Sequence, residues 1–120
     1  MKEETSNWMK KAEADLRAAK NSFASKDYEW TIFQCQQVAE KTLKAFILEK
    51  NGELRKIHDL VELSKNIHLP SELKEKIKEL TLAYIYSRYP DVEQKTDLKE
   101  KAVVFLEVAE EISKWVKKNL

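Results

Sequence analysis

The chain has almost nothing with which to make turns. Its 120 residues include one Gly and two Pro. Tight hairpins and β-bulges need such residues, so a turn-rich β architecture is excluded as the main design. Cysteine is nearly absent too. Cys35 stands alone, so no intramolecular disulfide can form, and no Cys/His spacing suits zinc. No run of apolar residues is long enough to span a bilayer, and MKEETSNW lacks an apolar leader. A soluble protein of a reducing cytoplasm is expected. Neither sign of charge dominates: Lys plus Arg number 22, Asp plus Glu 21, and the net charge is +1. Since the signs are interspersed, no phosphate-binding tract stands out, and any nucleic-acid contact must come from a local site.

What is abundant is material for amphipathic helices, with 36% charged and 42% hydrophobic residues. The Lys/Glu richness also fits a heat-tolerant protein. The length suits one domain, residues 1–120. Trp8, Ala12, Leu16, Ala19 and Phe23 form a stripe at helical period, giving a first helix from Thr5 or Ser6 to about Ser25. Asp27 caps a second helix from Tyr28 to about Lys50, with Ile32, Cys35, Ala39, Leu43, Phe46 and Ile47 inward. Asn51-Gly52 ends it, Gly being suited to left-handed backbone. A short helix covers about Ile57 to Asn66. A fourth is capped by Ser71, carries Leu73, Ile77, Leu80 and Tyr84, and stops before Pro90. Asp97, with Glu100 three residues on, opens a last helix to about Lys118. Its inward stripe is Leu98, Ala102, Phe105, Ala109, Ile112 and Val116. No segment alternates with period two. The expected fold is all-α: an antiparallel up-and-down bundle of four long helices plus one short one.

Several polar groups fall on inward faces. Asp15 lies beside Trp8 and Ala19, and Gln36 and Glu40 flank Ala39 and Leu43. A buried carboxylate needs a partner. For Asp15 the candidates are Arg88, a tyrosine hydroxyl, His58 or a helix-end amide. Such a network either fixes helix register or forms a small polar pocket. Apolar residues also fall outside the core stripes: Val104, Val108 and Trp115 on the last helix, Leu82 and Tyr86 on the fourth, Trp30 on the second. They suggest either a wide core or a self-association face, for which a two-fold dimer is the commonest closed form.

The order WMKKAEADLRAA, FQCQQVAEKTLKAFI, IHDLVEL, SRYPD and a final apolar helix resembles the HEPN domain family over nearly the whole chain. The resemblance implies a bundle of four to five helices, usually dimeric. It also implies a possible minimal nucleotidyltransferase partner in a toxin–antitoxin or two-part system. Many such proteins are metal-independent ribonucleases marked by an Arg followed, after four to six residues, by a His. Arg88 matches that Arg, but the positions for His hold Glu93, Gln94 and Lys95, and His58 and His68 both precede Arg88. The ribonuclease mechanism therefore does not transfer, and no catalytic residue, cofactor or metal is assigned. The expected function is a dimeric binding module taking nucleotide or RNA near Arg88, Tyr89, Pro90 and Asp91, with Tyr84 and His58 nearby. Arg88 would grip phosphate and Tyr89 would stack on a base. A degenerate ribonuclease and a purely structural helical dimer are the alternatives.

Overall fold

A computed structural model describes residues 1–50, 52, 59–88 and 97–120, with backbone only for 86–88. Five helices cover these residues: α1 (Glu3–Ala24), α2 (Tyr28–Glu49), α3 (Leu60–Ser64), α4 (Ser71–Arg88) and α5 (Leu98–Asn119). No strand occurs among the described residues.

The four long helices alternate in direction, as their side-chain pairs show. Ser22 meets Gln34, Asp15 meets Lys41, and Lys2 meets Glu49, so α2 runs back along α1. Phe33, early in α2, meets Tyr84, late in α4. Lys20–Glu110 and Lys117–Glu13 set α5 antiparallel to α1, and Lys76–Glu111 sets it antiparallel to α4. It follows that α2 and α5 lie parallel, and Phe46 accordingly meets Trp115 near both C-terminal ends. Helix α2 is the centre and packs against all four others, whereas the described parts of α1 and α4 make no close backbone approach to each other. This explains its burial pattern. Ile32, Cys35, Ala39 and Leu43 are fully enclosed, but so are Thr31, Val38, Thr42 and Ala45 on its other sides.

The ends of the helices depart from expectation in instructive ways. Helix α1 starts at Glu3, ahead of Thr5, which is buried rather than capping. The Lys2 amide and ammonium reach Glu49 and the Leu48 carbonyl instead, tying this end to α2. Asp27 precedes α2 as expected but makes no side-chain cap bond. Ser71 is the first residue of α4 rather than its cap. Asp59 and Asp97 do cap, accepting from the amides of Val61 and Lys99. Helix α3 is shorter than expected and begins at Leu60. Residues Ile57 and His58 lie outside the described residues. Ile67 and Leu69 anchor the chain after α3 in the core.

Glycine does not play the part expected of it. Gly52 is not left-handed; Lys26 is, with φ of 65°. A Cβ on Gly52 would meet Cγ2 of Ile47 at 2.5 Å, and the Gly52 amide donates to the Ile47 carbonyl at 2.8 Å. Close approach, not φ, requires Gly there. At the end of α1 the amides of Lys26 and Asp27 donate to the carbonyls of Phe23 and Ser22. This is the paired closure in which a left-handed residue normally is Gly. A left-handed non-glycine costs about 1–2 kcal/mol, partly offset by the entropy Gly loses on folding. Lys26→Gly is therefore expected to raise stability by about 0.5–1 kcal/mol in urea unfolding.

Candidate binding site at one end of the bundle

The start of α2 and the end of α4 lie together, and three aromatic rings join them. Phe33 stacks on Tyr84 at 5.6 Å between centroids, with planes 26° apart. Trp30 sets its ring nearly perpendicular to Phe33 at 5.5 Å and 83°. Offset and edge-on arrangements of this kind are the favourable ones for π systems. Trp30 nevertheless remains 60% exposed. Arg88 closes α4 one turn beyond Tyr84. The Arg88 side chain, and Tyr89, Asp91 and His58, lie outside the described residues, so of the expected ligand-binding set Tyr84 alone has a described side chain.

The polar groups of the inward faces sort into pairs. Asp15 bonds Lys41 across the seam between α1 and α2, and Lys41 was not among its expected partners. Helical periodicity gives only the direction of each side chain from the axis, while the long lysine stem carries its ammonium across the seam. Both members keep about a quarter of their side-chain surface in water, 26% for Asp15 and 23% for Lys41. Glu40 pairs with Lys44 at 3.2 Å, and this pair is buried. The Lys44 ammonium also sits over the Trp8 ring at 5.4 Å. Gln36 accepts from Gln37 at 2.9 Å. Lys41, Lys44 and Phe33 are not among the residues expected at the site. The Glu-x-x-x-Lys spacing of Glu40 and Lys44 is a standard helical pair and was the available signal. No cluster of metal-ligating side chains occurs among the described residues. Cys35 is fully buried, and burial first, then the negative charge of Glu110, pushes its thiol up to about 12. Its environment holds the sulfur protonated and inert at neutral pH.

The expected association face divides in two. Val108 is 1% exposed and belongs to the core, and Trp115 packs on Phe46 within the chain. The α5 stripe facing its neighbours is wider than the a/d-like pattern suggests, because α5 touches α1, α2 and α4. Val104 does stay exposed, as do Val103 on α5 and Leu82 and Ile85 on α4. No described helix is long and apolar enough to cross a membrane.

The fold has close counterparts. The chain is similar to TT1696 of Thermus thermophilus, at 30% identity over 97% of this chain and 98% of that one, with a TM-score of 0.84. It is similar to ST0689, an archaeal HEPN homologue, at 31% identity over 99% and 98%, with a TM-score of 0.80. A HEPN domain protein of Thermotoga maritima, 24% identical over 93% and 95%, shares the fold at a TM-score of 0.73. No curated protein matches the sequence. The family model for the HEPN domain matches residues 5–119. This match takes in all five helices, and the chain belongs to the HEPN domain family.

Proposed function

We propose that the chain is a binding module of the HEPN kind. It forms a homodimer and associates with a nucleotidyltransferase partner, takes a nucleotide or RNA near Arg88, Tyr89, Pro90 and Asp91, or does both. The observation that carries the reading is Ser-Arg-Tyr-Pro-Asp at the end of α4 in a chain of this family. A guanidinium there suits phosphate, because its fork of donors matches two oxygens at once. The exposed apolar side chains Leu82, Ile85, Val103 and Val104 support self-association. The reading stops at binding. Positions 93–95 are Glu, Gln and Lys, and none supplies the imidazole that general acid–base cleavage of RNA would use.

The test has two parts. Light scattering is expected to give twice the 14.1 kDa of one chain. Calorimetry with nucleotides and short RNA, and co-expression with a nucleotidyltransferase encoded beside it, are expected to show an associating ligand or partner. Arg88→Ala should weaken phosphate-bearing ligands about 10- to 100-fold without changing the mass. A monomer that associates with neither a nucleotidyltransferase nor a nucleotide overturns the reading.

A further inference from the structure

Helices α1 and α4 both pack on α2 and make no close backbone approach to each other among the described residues, so one stripe of α2 runs between them. Trp30, Gln34, Gln37 and Lys41 follow one another along it at spacings of four, three and four, which is one helical stripe. Trp30 is exposed and the other three are half-buried. The strip is thus an aromatic ring followed by two amides and a cation. It is not an aliphatic surface, so it is poorly suited to a hydrophobic protein partner. Gln34 is held by the Ser22 hydroxyl at 2.8 Å, Gln37 by Gln36, and Lys41 by Asp15.

We infer that Trp30 is a stacking platform for an unpaired nucleobase, with the amides of Gln34 and Gln37 beside it to meet the base edge. This rests on the nucleotide- or RNA-binding reading above and names the subsite that takes the base. Three observations support it. The indole is the most exposed of the large aromatic side chains among the described residues, at 60%, so its position serves no core. It nevertheless has a ring neighbour: Trp30 meets Phe33 nearly perpendicular, and Phe33 in turn stacks on Tyr84. An exposed flat ring presents a π face on which any base can stack. Finally, the same ring ladder leads through Tyr84 to the last turn of α4, where Arg88 stands. The ladder thus reaches the helix whose sequence carries the guanidinium of the proposed phosphate contact. The chemistry is that of a nucleobase, whether from a free nucleotide or from single-stranded RNA.

The experiment titrates the full chain with ADP and, separately, with a short oligoadenylate RNA, reading affinity by calorimetry. Trp30→Ala is expected to weaken whichever ligand binds by about 5- to 100-fold. Trp30→Tyr should keep most of the affinity, and Trp30→Leu should lose as much as Ala, since stacking needs a ring and not merely apolar surface. Saturation by ADP places the subsite with free nucleotides; binding of the oligoadenylate alone places it with RNA. Light scattering on each variant checks the mass. If Arg88→Ala abolishes binding while Trp30→Ala leaves it intact, the stacking subsite is wrong and the broader reading survives. If Trp30→Ala and Trp30→Leu instead halve the mass, or Leu binds as well as Tyr, Trp30 is an apolar contact and the inference falls. A wild-type chain that binds neither probe removes this inference, while partner association remains for the broader reading.

Discussion

Lys44→Ala is expected to destabilise the protein by about 3–5 kcal/mol, because it removes the cation facing a carboxylate that has left water. The side chains of Lys44 and Glu40 keep only 7% and 6% of their surface exposed, and their charged atoms are 3.2 Å apart. The pair also has Trp8 beneath the ammonium. Truncating the lysine strands the glutamate charge near the centre of the bundle and removes the cation–π contact as well. Replacing both members with apolar residues of similar size, Glu40→Leu with Lys44→Met, should be far milder and close to neutral. A buried ion pair returns little more than its own desolvation cost. The neighbouring seam provides the contrast. Asp15 and Lys41 are bonded too, but each keeps about a quarter of its surface in water, at 26% and 23%. Water already screens that pair, so Lys41→Ala should cost only about 1 kcal/mol. Urea unfolding of the three variants, followed by circular dichroism, reads the difference. A loss below about 1 kcal/mol for Lys44→Ala would mean that water reaches the pair.

The two seams also show what a sequence can and cannot disclose. Helix periodicity depends on local chemistry, and it placed the four long helices and most of their inward stripes, from Ala12 and Ala19 to Ile112 and Val116. Arg88 is the last described residue of α4, and the expected stop before Pro90 lies outside the described residues. Capping was legible where a carboxylate precedes the helix in extended backbone, as at Asp97. It failed at Ser71 and Thr5, each of which lies inside its helix rather than ahead of it. Long-range partners were the hardest to read. Nothing in the spacing of Asp15 says that Lys41 will reach it, because the choice depends on how two helices are offset. Spacing alone left Val108 open between a wide core and an association face, and the contacts of α5 with α1, α2 and α4 decide it for the core. Of the candidate site, Tyr84 was legible as an inward aromatic late in α4, whereas Trp30 was legible only as an apolar residue outside the core stripe of α2. Their connection through Phe33 required the antiparallel register of α2 and α4.

That register depends on α2, and its centre is where a single deletion should hurt most among apolar positions. Leu43 is fully enclosed and belongs to one continuous core with Leu80, Ile77 and Ile112. Leu43→Ala removes buried methyl groups and leaves a cavity that the packed helices can only partly close. The expected cost is about 3–5 kcal/mol. For a domain of this size, total stability is on the order of 5–15 kcal/mol, so the variant sits near the edge of folding. Leu43→Met keeps the volume and should lose less than about 1.5 kcal/mol. Glu79→Ala is the exposed control on the neighbouring helix α4, away from the apolar side chains that support self-association, and it should stay within about 0.5 kcal/mol. All three are checked by the urea midpoint at unchanged slope. The result also bears on the rings, because Trp30 and Phe33 occupy the first two turns of the same helix. If Leu43→Met keeps the fold, its α2 should still hold Phe33 against Tyr84, and the near-ultraviolet circular dichroism of the rings should match the parent protein. A near-neutral Leu43→Ala would instead mean that α2 is not the element around which the bundle closes.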